Sequence, residues 1–132
     1  MEINDLTHTI LAAHTRFTTS LALVFLERVY ENALQIELQK LGITVLQQQE
    51  LKVWYEGQIV GDYKPDLWIP EKLIIEIKSV QNLAKEHEVK LIHYLAATKI
   101  DDGLLINFGQ SVQVKRKFRE YKPKGKLLDV IR

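Results

Sequence analysis

The sequence predicts an α/β domain whose elements run in the order α(α)βββαβ(β). Three observations predict it. The hydrophobic period is helical up to about residue 41 and changes to that of strands after Gly42. Three strand-like runs follow in close succession, separated by the turn signals Glu56-Gly57 and Pro70-Glu71-Lys72. A further helical stretch then leads into another apolar strand, the arrangement of a crossover connection.

Asn4 and Asp5 are N-cap candidates for a helical pattern that continues through Ile10, Leu11, Phe17 and Leu21. A second pattern covers about 22–41, with Leu23, Leu26, Tyr30, Ala33, Leu34, Leu38 and Leu41 on one stripe. No Gly or Pro interrupts residues 18–25, so two helices and one long helix both fit. Gly42 stands where a C-terminal cap is expected. Residues 43–55 and 58–69 are expected as the first two strands, and 73–79 (LIIEIKS) as a third that is buried on at least one face. Together they form a three-stranded antiparallel meander. The crossover helix is expected at about 81–98, with Leu83, Leu91, Ile92, Leu95 and Ala96 on its apolar side and Asp101-Asp102-Gly103 ending it. A short strand from Leu104 to Phe108, a turn at Gly109 and a basic strand at about 112–118 complete the pattern.

The bulk numbers agree with one globular domain over 1–132: 132 residues, 46% hydrophobic and 27% charged, with no repeat or linker. The absence of cysteine excludes disulfides and thiolate metal sites. No apolar run approaches the roughly 18 residues that span a bilayer, and the start MEINDLTHTI lacks the layout of a signal peptide. A cytoplasmic protein without a membrane partner is therefore expected. The formal charge of +1 hides an asymmetry, because residues 113–132 hold eight Lys or Arg against two acids. A basic segment on a mildly acidic body suits a phosphate-rich partner. The same lysines would equally guard an exposed edge strand against aggregation.

The stretch that points to chemistry is Pro65-Asp66, nine residues, then Glu76-Ile77-Lys78. Residues two apart in a strand share a face, so Glu76 and Lys78 project together. If 70–72 is a three-residue hairpin loop pairing Ile69 with Leu73, Asp66 falls opposite Glu76. Two carboxylates so placed, with Cβ atoms about 5 Å apart, repel and need a positive partner. A divalent cation such as Mg²⁺ (or Mn²⁺) held by both, with Lys78 beside it, meets that need and suits phosphodiester hydrolysis. The alternative is an amphipathic strand whose polar face meets solvent. Glu27 adds to the first reading because it lies at i, i+3 and i+7 with Tyr30 and Leu34 on the apolar stripe. A carboxylate turned inward needs a partner, the cation or Lys78; one turned outward pairs with Arg28. The pairs His87/His93 and His8/His14 are each six apart, share no helical face, and are not expected to be catalytic. Trp54, Tyr55 and Trp68 could stack bases, but strand aromatics are more often core.

The segment Phe25-Leu26-Glu27-Arg28-Val29-Tyr30-Glu31-Asn32-Ala33-Leu34 resembles the signature of the GxxExxY proteins, a small branch of the PD-(D/E)xK nuclease superfamily. Gly61 to Leu67, Ile75 to Val80, His87-Glu88, Leu91 with Tyr94-Leu95, and Gly103 to Gly109 extend the likeness in order over roughly residues 4–118. The resemblance implies a restriction-endonuclease-like core with Glu27, Asp66, Glu76 and Lys78 as the metal and catalytic set. It also implies DNA or RNA as partner, with Lys90 and Tyr94 in the Q-x-x-x-Y element of the crossover helix. This chain departs from the pattern at Val24, where the signature opens with glycine, and at Lys90, where relatives commonly carry Gln.

Two functions follow as expectations. The first is a Mg²⁺-dependent nuclease or a nuclease-derived nucleic-acid-binding domain. The second is a non-catalytic interaction module that retains the fold. Asp66, Glu76 and Lys78 favour the first; Val24 and Lys90 favour the second. Lys115, Arg116, Lys117 and Arg119 are expected to contact phosphates without reading sequence. In the second case Leu127, Leu128, Val130 and Ile131 form a docking strip for a protein partner or a second copy of the chain.

Overall fold

Helix α1 (Glu27–Lys40) stops where its apolar stripe stops. Gly42 follows at φ 77°, its N–H donates to the Gln39 carbonyl at 2.9 Å and the Ile43 N–H to the Leu38 carbonyl at 3.1 Å. That pair of bonds closes the helix in a Schellman motif, which glycine enters without strain. The computed structural model describes residues 27–108 and 112–119, together with single helical positions at 5, 8, 9 and 12. Val24, most of the expected first helix, and residues 120–132 with the apolar strip Leu127, Leu128, Val130 and Ile131 lie outside the described residues.

After α1 come β1 (Leu46–Gln47), β2 (Leu51–Tyr55), β3 (Gln58–Tyr63), β4 (Leu67–Ile69) and β5 (Leu73–Lys78). Helix α2 (Lys85–Thr98), β6 (Asp102–Phe108) and β7 (Val112–Phe118) follow. The main sheet has the order β1-β4-β5-β6-β7, with β5 and β6 parallel and every other pair antiparallel. Strands β2 and β3 form a separate two-stranded sheet.

The two long strands expected at 43–55 and 58–69 are therefore each broken in two. The first breaks at Gln48, whose backbone turns to φ 54°. The second breaks at Lys64-Pro65-Asp66, where Pro65 has no N–H to offer a ladder. Between the breaks, β2 and β3 leave the main sheet as a hairpin closed by Glu56 and Gly57 at φ 48° and 76°, the two positive values of a type I′ turn. What remains of the meander in the main sheet is β1, β4 and β5.

The sheet is covered on both faces. Tyr30, Leu34 and Leu38 of α1 pack with Leu67, Ile69, Leu73, Ile75, Ile77, Leu104, Ile106 and Phe108 on one face. Leu91, Tyr94, Leu95 and Ala97 of α2 pack with Ile74, Leu105 and the hairpin's Leu51 on the other. Strand β5 is buried from Leu73 through Ile77, so its sequence is nearly continuous in apolar residues rather than alternating. The Tyr30 and Phe108 rings stack with centroids 4.4 Å apart, fixing the start of α1 over the end of β6. No described helix is long and apolar enough to cross a membrane.

Candidate active site

The tight connection after β4 sets the geometry of the site. Ile69 pairs with Leu73, Trp68 with Ile74 and Leu67 with Ile75, the register expected for a three-residue loop. Asp66, immediately before β4, therefore meets Glu76. Its backbone N–H donates to Glu76 Oε2 at 2.7 Å, and Ile77 N–H donates to Asp66 Oδ2 at 2.8 Å. Odd positions of β5 enter the core under α1, so Glu76 and Lys78 lie with Ile74 on the α2 face. The site thus sits toward the carboxyl ends of the parallel pair β5 and β6, where open α/β sheets commonly hold ligands.

Burial governs the electrostatics. Glu76 is 3% exposed, and its pKa is pushed up to about 8, first by burial and then by the Asp66 carboxylate. The Asp66 N–H bond and the charge of Lys90 act against that rise. Tyr94 of α2 is also buried, and its hydroxyl is held well above the usual phenol range by burial and then by Glu76 and Asp66. Lys90, one turn before it, places its ammonium 5.7 Å from the Tyr94 ring centroid. Asp66, Glu76, Lys90 and Tyr94 are thus one electrostatic neighbourhood. Lys78 is half-buried and makes no ion pair with a described residue.

Helix α1 contributes two acids, and they go to different places. Glu27 Oε2 accepts the Ser79 N–H at 3.2 Å, just past Lys78. Glu31 is 3% exposed and accepts from Gln48 Nε2 at 3.1 and 3.2 Å, and from Gln47 Nε2. Gln48 Nε2 also donates to Asp66 Oδ1 at 3.1 Å. Burial raises the Glu31 pKa, the neighbouring Asp66 carboxylate adds to it, and the Gln47 and Gln48 bonds oppose it. The helical carboxylate that shares a partner with Asp66 is thus Glu31, which sequence reasoning passed over. The signal was present: Glu31 stands at i, i+3 and i+7 with Leu34 and Leu38, the same relation that singled out Glu27 with Tyr30 and Leu34.

Among the described residues, no group of three or more His, Asp or Glu is placed to hold a metal ion. Two neighbouring hard carboxylates, each accepting a backbone N–H from the other's segment and one of them resisting ionisation, still suit a hard divalent cation. Magnesium usually takes one or two carboxylates and completes its shell with water and substrate phosphate.

The residues expected to meet nucleic acid divide into two groups. Lys90 borders an open groove of about 340 Å³ along α2, lined by Lys85, Glu86, Val89, Lys90 and His93. The β7 cations are instead occupied within the chain. Lys115 pairs with Glu88 at 3.0 Å, Lys117 with the other Glu88 oxygen, Arg116 with Asp102 at 3.0 Å and Arg119 with Asp101 at 2.8 Å. The two lysines hold the Glu88 carboxyl below the usual range. Of the aromatics, Trp68 packs into the α2 core, whereas Tyr55 is exposed at the hairpin tip. His87 accepts the Ala84 N–H at the start of α2, a capping contact, and His93 faces the groove.

The model of the PD-(D/E)XK nuclease superfamily matches residues 4–120. No curated protein matches the sequence. The crystal structure of SSO0001 superposes with a TM-score of 0.59 at 16% identity, covering 79% of this chain and 55% of that one. The chain thus spans about half the length of SSO0001, and at that identity the likeness is one of fold, consistent with a restriction-endonuclease-like architecture.

Proposed function

The chain belongs to the PD-(D/E)XK nuclease superfamily, and from that premise we propose that it hydrolyses phosphodiester bonds of DNA or RNA at a centre formed by Asp66, Glu76 and Lys78. The observation that carries this reading is the part-buried Asp66–Glu76 contact, in which burial of Glu76 and then the Asp66 charge raise the Glu76 pKa to about 8. Such a pair gains from a hard cation more than an exposed pair does, because the cation removes both the repulsion and the cost of a buried charge.

Asp66 and Glu76 would hold Mg²⁺ or Mn²⁺, which when bound would supply positive charge to the phosphoryl oxygen and acidity to an attacking water. Lys78, on the same strand face as Glu76, orients that water or donates to a non-bridging oxygen. Lys90 and Tyr94 approach from α2, the first as a phosphate-binding cation and the second as a hydroxyl donor. Glu27, bonded to the Ser79 N–H, steadies the strand end that carries Lys78.

Calorimetric titration of the metal-free protein with Mn²⁺ is expected to show binding that Asp66→Ala and Glu76→Ala abolish. Lys78→Ala is expected to keep that binding and to lose about 10²–10³-fold in kcat, the scale seen when one transition-state donor is removed. A wild-type protein that binds no Mn²⁺, or a Lys78→Ala variant with full hydrolysis, would sink the reading.

Ion pairing also ranks the two sets of cations. Lys85 and Lys90 make no ion pair with a described residue, whereas Lys115 and Lys117 already share Glu88. The expected outcome is that Lys85→Ser with Lys90→Ser lowers the log–log salt slope of oligonucleotide binding by about two units. Lys115→Ser with Lys117→Ser should lower it by less, since a phosphate there must first displace Glu88. Fluorescence anisotropy at several salt concentrations measures both. A larger change from the β7 pair would place the main phosphate contacts on β7 instead.

A further inference from the structure

Gln48, the residue after β1, has a backbone conformation that L-residues seldom adopt, with φ at 54°. Such backbone strain persists only where surrounding contacts hold it, and it concentrates at functional sites. Here both kinds of N–H that Gln48 owns are turned on the same neighbour. Its backbone N–H donates to the Asp66 carbonyl at 3.1 Å, and Nε2 donates to Asp66 Oδ1 at 3.1 Å. The same Nε2 lies 3.1 and 3.2 Å from the two oxygens of Glu31, a side chain only 3% exposed. One amide nitrogen therefore faces three carboxylate oxygens, from a helix and from the start of a strand.

The geometry points to Gln48 as a positioning residue that clasps Glu31 of α1 to Asp66 and so sets the Asp66 carboxylate toward Glu76. The two carboxylates repel, and the neutral amide holds them together without supplying a charge. That choice of side chain matters. A lysine there would neutralise the carboxylates itself and take the place of a cation, and a serine would be too short to span both. An amide orders the oxygens while leaving their negative charge for a metal ion. Gln47 provides the contrast within the same turn, since its amide meets Glu31 and Asn32 and leaves Asp66 untouched. The inference rests on the reading of Asp66 and Glu76 as cation ligands.

Gln48→Gly tests it cleanly, because glycine accepts the positive φ and loses only the amide. Gln48→Asn is the second variant: it tolerates the same backbone and keeps an amide, but one methylene too short to span both acids. Both are expected to bind Mn²⁺ about 10–100-fold more weakly than wild type, the usual consequence of losing a partner that orients a metal ligand. Their metal-free circular dichroism and melting should remain those of a folded protein. Gln47→Ala should leave Mn²⁺ affinity unchanged. Unaltered affinity in Gln48→Gly overturns the proposal while the carboxylate centre stands. Equal losses in Gln47→Ala and Gln48→Gly also overturn it, since satisfying buried Glu31 would then suffice. A wild-type protein that binds no Mn²⁺ removes the centre itself, and the positioning role with it.

Discussion

Glu76→Gln is expected to make the metal-free protein more stable than wild type at pH 8 and to change little near pH 4. In the folded chain Glu76 holds its proton up to about pH 8, against 4.5 for an ordinary glutamate. Between those values the folded state binds more protons than the unfolded state, so stability falls as pH rises. The stability linked to this group is complete below about pH 4.5 and is lost by the time pH passes 8. At about 1.4 kcal/mol per pH unit, the loss across that window is on the order of 5 kcal/mol. Glutamine cannot ionise, and its amide oxygen can still accept the Asp66 N–H, so the variant should lack that slope. Thermal melts from pH 4 to 9 in EDTA provide the comparison. Added Mn²⁺ should restore wild-type stability above pH 7 and leave Glu76→Gln unmoved. Wild-type stability that climbs from pH 5 to pH 8 would contradict the buried, protonated Glu76. Position 76 is a cleaner place for this test than position 66, because Asp66 accepts from both Ile77 N–H and Gln48. An asparagine there presents only one oxygen to those two donors.

The second large effect is expected at Asn107. It is 1% exposed, and its amide closes on both polar groups of one residue, with Oδ1 accepting the Val80 N–H and Nδ2 donating to the Val80 carbonyl, each at 2.9 Å. Asn107 also faces Lys78 across the parallel ladder. The neighbouring Ser79 is tied to the Phe108 carbonyl and to Glu27. This short stretch therefore anchors the strand end that carries Lys78. Asn107→Ala leaves two backbone groups of Val80 without their partner and should cost roughly 2–4 kcal/mol. Asn107→Asp keeps the shape and the acceptor but sets a carboxylate oxygen against the Val80 carbonyl, so it should be no better. Urea midpoints at constant m-value measure the cost. An alanine variant within about 0.5 kcal/mol of wild type, the range of ordinary surface substitutions, would show that the clamp is incidental.

Much of this architecture is local in origin and was therefore legible. The apolar stripe through Tyr30, Leu34 and Leu38, the cap at Gly42, the turn at Glu56-Gly57 and the hairpin loop at 70–72 each depend on residues within a few positions. The loop length alone sets the register of β4 on β5, and that register puts Asp66 against Glu76. The family resemblance, which pointed to the nuclease superfamily, likewise depends on short motifs in order.

The α/β order of the elements, the nuclease-superfamily membership and the pairing of Asp66 with Glu76 can be read from the sequence. Only the packed fold assigns β2 and β3 to a sheet of their own, because β propensity says nothing of which sheet a strand joins. It also decided that Glu31 reaches the Asp66 side of the site while Glu27 meets Ser79, a matter of how α1 is rotated on the sheet. The β7 lysines look free in the sequence, yet their partner Glu88 lies 27 and 29 residues away on a packed helix. Periodicity and turn chemistry act over a few residues, whereas charge pairing and burial depend on elements distant in sequence that meet only when the sheet is covered.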